Sequence, residues 1–184
     1  RVTIYGWDGE SYSQYVGSAA CSTGLPGYDT PTGTFQADGR VNAGEWYYFK
    51  QYNCYAKYAY RIVGGIMFHS VLYNAKKQGP TNSSINALGR KASHGCIRLP
   101  FSGLNGQLNA YWLWTHLPYH SKLLILDDPN ERWATEESIT GKVPEEAGNV
   151  DNSPMIIQDE AQTPPPLTML ETELTLTLGG DVVL

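Results

Sequence analysis

Turn-forming residues cut this chain into short runs, and that punctuation constrains its fold more than any other feature. Asp8-Gly9, Thr23-Gly24-Leu25-Pro26-Gly27, Gly64-Gly65, Gly79-Pro80 and Asn82-Ser83-Ser84 all precede Arg90. Between such breakers lie stretches rich in β-branched and aromatic residues, which suit strands: Val2–Tyr5, Tyr12–Cys21, Thr34–Ala37, Trp46–Gln51 and Tyr55–Ile62. In Thr30-Pro31-Thr32-Gly33-Thr34-Phe35, Pro31 fixes its own φ and pushes Thr30 extended, while Gly33 permits backbone angles closed to other residues. That hexapeptide reads as a rigid bend into a strand. Ile66-Met67-Phe68 carries the chain into His69-Ser70, and Ile97-Arg98-Leu99 is extended and ended by Pro100. Helical spacing is clearest over 103–116, where Leu104, Leu108, Tyr111, Trp112 and Thr115 recur, with Ser102 as N-cap and Pro118 beyond the end. A shorter helix is expected at Ile85–Leu88, and a strand at Leu123–Leu126. The fold class is mainly β with one substantial helix.

Charge divides the chain. Residues 1–128 hold 11 of the 13 bases and 7 of the 18 acids, whereas 129–184 hold 2 bases and 11 acids. The second stretch also carries 6 of the 11 prolines, including Pro164-Pro165-Pro166. Residues 129–166 therefore read as an acidic, proline-rich linker that cannot bury enough to fold alone. Leu167–Leu184 alternates and reads as the truncated start of a following strand-rich segment. The body, 1–128, has no Lys/Arg run, which argues against nucleic acid as a partner. No run of about 18 apolar residues offers a membrane span. The chain opens on what reads as a strand, as a fragment of a longer precursor would, with any targeting segment upstream.

Chemistry concentrates in Ser93-His94-Gly95-Cys96-Ile97-Arg98-Leu99. Cysteine attacks as its thiolate, which neighbouring imidazole or positive charge favours. On extended backbone His94, Cys96 and Arg98 share a face. Gly95 leaves the backbone open, so that N–H groups can point at a developing oxyanion. His69, at the end of an apolar strand, is a candidate base for Cys96. Cys21 and Cys54 remain as a disulfide pair or as two separate buried thiols. No cluster has metal-ligand spacing. His116 and His120 read as surface or helix-end residues.

These motifs resemble the YkuD-type L,D-transpeptidases of bacterial cell walls. The resemblance runs in order through residues 2–127: Ser22-Thr23-Gly24 with Thr30–Phe35, Gly65-Ile66-Met67-Phe68-His69-Ser70, Ser93–Leu99, and Leu108–Leu126. It implies a β-sandwich with the cysteine on a loop above a groove. Cys96 would be the acylated nucleophile and His69 its base, oriented by the backbone of Ser70. His94, Gly95 and Cys96 would shape the oxyanion site. Arg98 would brace the loop or hold a substrate carboxylate, and Ser93, Phe68 and Tyr73 would contact substrate. No cofactor is implied.

The implied reaction is transpeptidation on peptidoglycan stem peptides outside the cytoplasm, at the cell wall or cell surface. Water as acceptor would make an L,D-carboxypeptidase instead, and an idle wall-binding module would lack Cys96 or His69. The sequence departs from the family pattern in three places. The stretch between His69 and Ser93 is long and reads as a lid or binding loop. Phe101–Gln107 resembles an insertion, and Ser70 stands where many members have Gly.

Overall fold

The computed structural model describes residues 1–101 and 108–127, and the strand at 172–178. β1 (Val2–Gly6) and β2 (Gln14–Ala19) form a hairpin whose turn is held by the Asp8 carboxylate, which accepts from the N–H groups of Glu10 and Ser11, each at 2.8 Å. The short β3 (Thr23–Gly24) precedes the bend into β4 (Gly33–Gln36), and β5 (Gly39–Arg40) follows. β6 (Trp46–Phe49) and β7 (Cys54–Lys57) form an aromatic hairpin, closed by a 3-10 turn at Lys50–Tyr52 and by Asn53 in the left-handed region. β8 (Tyr60–Val63) and β9 (Ile66–Ser70) are joined by Gly64-Gly65, with Gly64 at φ 53° supplying the tight turn. Then come α1 (Asn82–Asn86), β10 (Lys91–Ser93), β11 (Ile97–Leu99), α2 (Ala110–His116), β12 (Lys122–Asp127) and β13 (Thr172–Leu178).

Two sheets face each other across one core. The first runs β2-β1-β13-β12-β4 and the second β11-β9-β8-β5. Val2, Ile4, Leu123 and Ile125 from the first meet Tyr60, Ile62, Phe68, Ile97 and Leu99 from the second, with Trp112 and Leu113 of α2 in the same cluster. Burying each large apolar side chain contributes about 1.5–3 kcal/mol. The mainly β sandwich with one longer helix is thus as expected. Two small ladders, β3-β10 and β6-β7, sit outside these sheets.

Several boundaries differ from the sequence reading. Tyr55–Ile62 is not one strand. Tyr58 sits at φ 62° and turns the chain, its N–H donating to Glu45 C=O at 2.8 Å. That conformation costs a non-glycine residue about 1–3 kcal/mol. Packing of the buried ring on Tyr111 and Trp114 offsets it. The longer helix begins at Ala110, where Asn109 accepts from the Trp112 N–H at 2.9 Å; Ser102 and the rest of 102–107 lie outside the described residues. The short helix starts earlier than expected because Thr81 caps it by accepting from the Ser84 N–H.

The alternating stretch expected to open a following segment lies elsewhere. β13 pairs antiparallel with β1 (Ile4 opposite Leu174) and parallel with β12 (Leu123 opposite Leu174). It is the middle strand of the first sheet. The linker expected at 129–166 lies outside the described residues. A chain ending at Asp128 would leave β1 and β12 without the partner between them, their ladder groups unpaired. Thermal melting of that shortened chain is expected well below that of 1–184; an unchanged melting temperature would contradict β13 as a member of this sheet.

Candidate active site

Parallel pairing of β9 with β11 builds the site. It sets Phe68 opposite Ile97, His69 opposite Arg98 and Ser70 opposite Leu99. Alternation along β9 sends Phe68 into the core and His69 to the other face. His69 is nonetheless only 2% exposed. Its Nδ1 lies 2.6 Å from Ser70 C=O, an acceptor, so Nδ1 carries the proton and Nε2 keeps its lone pair. Burial, reinforced by the Arg98 charge, lowers the pKa to about 3 against the smaller opposing pull of the Ser70 carbonyl. The imidazole is a neutral base at physiological pH.

Cys96 ends the turn between β10 and β11, half-buried. Gly95 makes that turn at φ 104°, where a Cβ would meet Ile66 Cδ1 at 2.6 Å. Ser93 ties the turn together: its Oγ donates to Cys96 C=O at 2.5 Å and accepts from the Gly95 N–H at 3.1 Å. The Gly95 N–H is therefore engaged within the turn. Cys96 Sγ donates to Gly65 C=O at 3.6 Å; among the described residues no hydrogen bond joins it to His69. Burial raises the thiol's pKa, against smaller pulls from the Met67 N–H and Arg98. Both shifts favour the uncharged forms, thiol and imidazole, over a thiolate–imidazolium pair.

The tip of the β6–β7 hairpin lies over these groups. Phe49 packs on His69 with ring centroids 4.9 Å apart, and Tyr52 stacks on His94 at 4.5 Å and 21°. Tyr28 meets the same imidazole edge-on at 4.5 Å. Cys54 stands opposite Phe49 in the ladder; burial raises its thiol pKa against the pull of Arg98. Sequence reasoning missed this cap, because an aromatic strand pair reads as packing. The stretch expected to be a lid or a binding loop, 71–92, is anchored: Val71, Ile85, Leu88 and Phe101 form a second small core, and the Leu72 N–H donates to Ser84 Oγ at 2.8 Å.

Other expected site residues fall into place differently. Phe68 is fully buried between the sheets, out of reach of a substrate. Tyr73 is 4% exposed, its backbone paired with Tyr55 and its ring on Trp46 at 5.0 Å, so it too is interior. Ser93 is 1% exposed and serves the turn rather than a ligand. Arg98 Nη1 donates to Ala92 C=O at 3.0 Å. Ser70 Oγ accepts from the Lys57 N–H at 2.8 Å, coupling the histidine strand to the hairpin. Cys21 and Cys54 are both free thiols; Cys21 is packed in the main core, while Cys54 belongs to the hairpin.

A family model described as the L,D-transpeptidase catalytic domain, YkuD, matches residues 3–125. The chain belongs to the YkuD family. A Bacillus subtilis (strain 168) protein named "Putative L,D-transpeptidase YciB" is 36% identical over 98 residues, covering 52% of this chain and 46% of that protein. Among solved structures, a fused Zn-dependent amidase/peptidase/peptidoglycan-binding domain-containing protein from Clostridium acetobutylicum aligns at TM-score 0.46 and 23% identity, over 66% of this chain and 45% of the other. An L,D-transpeptidase from Mycobacterium smegmatis aligns at 0.44 and 20%, over 60% and 49%. The chain spans about half the length of these relatives.

The neutral resting pair of this YkuD domain has a measurable signature. Iodoacetamide alkylates only the thiolate, so its rate at Cys96 should climb through neutral pH toward an apparent pKa above the ordinary thiol value of about 8.5, with no step near about 6.5. A plateau reached below pH of about 7 would mean a preformed thiolate.

Proposed function

We propose that this YkuD domain is a cysteine-dependent L,D-transpeptidase that acts on peptidoglycan stem peptides through a thioester on Cys96. The observation that carries the reading is the oriented neutral imidazole of His69, bonded through Nδ1 to Ser70 C=O, on the strand paired with the one that Cys96 leads into. A neutral imidazole whose Nε2 lone pair can take the thiol proton is what an uncharged cysteine needs in order to attack.

The Cys96 thiol turns from Gly65 C=O to His69 Nε2 and gives up its proton there as sulfur bonds to the carbonyl carbon of the L-centre. The carbonyl oxygen becomes an oxyanion that accepts from the Cys96 N–H. Imidazolium returns the proton to the departing amine, the C–N bond breaks, and a D-amino acid leaves. An amine of a neighbouring stem then attacks the thioester and gives its proton to His69. The new amide forms, and sulfur leaves with that proton. Each difficult displacement is divided into two easier ones. Neither step calls for a cofactor.

Peptidoglycan as substrate places the reaction outside the cytoplasm, at the wall or cell surface. No helix among the described residues is long and apolar enough to cross a membrane.

Mixing the protein with a disaccharide-tetrapeptide should give a thioester adduct by intact mass, together with released D-alanine. Cys96→Ala should form no adduct and lower release by about 10³-fold or more. An adduct that survives Cys96→Ala, or no adduct and no release from folded wild type, would overturn the reading.

A further inference from the structure

We infer that Thr30 is a positioning residue for the nucleophile turn: its hydroxyl sets the Gly95–Cys96 peptide and so aims the Cys96 N–H. The inference rests on the Cys96 acyl-enzyme proposed above.

Thr30 is polar yet only 4% exposed. Its Oγ1 donates to Gly95 C=O at 2.9 Å and accepts from the Gly24 N–H at 2.9 Å. Both capacities of the hydroxyl are used inside the protein, so its direction is fixed. The chain is built to allow this approach. A Cβ on Gly24 would lie 2.0 Å from Tyr28 C=O and 2.7 Å from the Thr30 nitrogen, so the contact needs glycine there. Pro31 follows it, and a proline disfavours the helical region for the residue before it.

Gly95 needs such an anchor. At φ 104° it occupies a region that glycine enters freely but does not prefer, so its own backbone does not fix the turn. Two side chains fix it instead, Ser93 on its N–H and Thr30 on its C=O. The peptide to Cys96 is trans, so Gly95 C=O and the Cys96 N–H point in opposite directions across one plane. Holding the carbonyl toward Thr30 turns the Cys96 N–H away from it. Loss of an oxyanion donor typically lowers kcat by about 10²–10³-fold. Misdirecting one should cost less, about 10–100-fold.

Thr30→Val keeps the shape and deletes the hydroxyl; Thr30→Ser keeps the hydroxyl. In Thr30→Val, acylation of Cys96 by the disaccharide-tetrapeptide at saturation should fall about 10–100-fold with KM little changed. Iodoacetamide alkylation, which develops no oxyanion, should stay within about twofold. The Cys96 amide cross-peak in ¹⁵N-labelled protein should move, and Thr30→Ser should restore both acylation and the cross-peak. Undiminished acylation in Thr30→Val, or a parallel fall in acylation and alkylation that Thr30→Ser does not rescue, would overturn the inference. Wild type that is alkylated but never acylated would sink the proposed reaction instead. The Cys96 cross-peak would then still decide the role of Thr30, an unmoved peak in Thr30→Val refuting it.

Discussion

The parallel ladder between β9 and β11 is the constraint on which the rest of the site depends. It joins two segments far apart in sequence and fixes His69 opposite Arg98, with Cys96 just ahead of the paired run. The ladder is secured from behind by Phe68, Ile97 and Leu99, all fully buried between the sheets. On its outer side Ser22 brackets it, its backbone exchanging two 2.9 Å hydrogen bonds with that of Arg98. The candidate site is thus mounted on strands packed into the core, and side chains hold the turn 93–96.

Burial sets the electrostatics of that site. The same desolvation that lowers His69 raises Cys96, so each is driven toward its neutral form. Arg98 acts the other way on the thiol and with burial on the imidazole, and desolvation is the larger effect on both. The hairpin tip contributes to the enclosure through Phe49 on His69 and through Tyr52 on His94. In the proposed reaction, proton transfer to His69 would therefore accompany attack rather than precede it, and the energetic task would shift to stabilising the oxyanion.

Much of this was legible from local pattern. The glycine in Ser93-His94-Gly95-Cys96, the histidine at the end of an apolar strand and the Gly64-Gly65 turn each announce themselves within a few residues. What was not legible depends on distant partners. Thr30 reads as part of a bend, but the carbonyl it holds is 65 positions away. Thr172–Leu178 alternates like a strand, yet alternation does not name the neighbours it pairs with. Tyr58 breaks a strand with no glycine to mark the place, because tertiary packing outweighs the local preference. The family resemblance implies substrate contacts for Phe68 and Tyr73, whereas strand alternation and the hairpin bury both.

The neutral, oriented imidazole is the centre of the proposed mechanism, and ¹⁵N NMR of histidine-labelled protein observes it directly, with His69→Gln supplying the assignment. From about pH 5 to about pH 8, His69 should stay a single neutral tautomer with its proton on Nδ1. A doubly protonated His69 at neutral pH, paired with a Cys96 thiolate, would contradict the account.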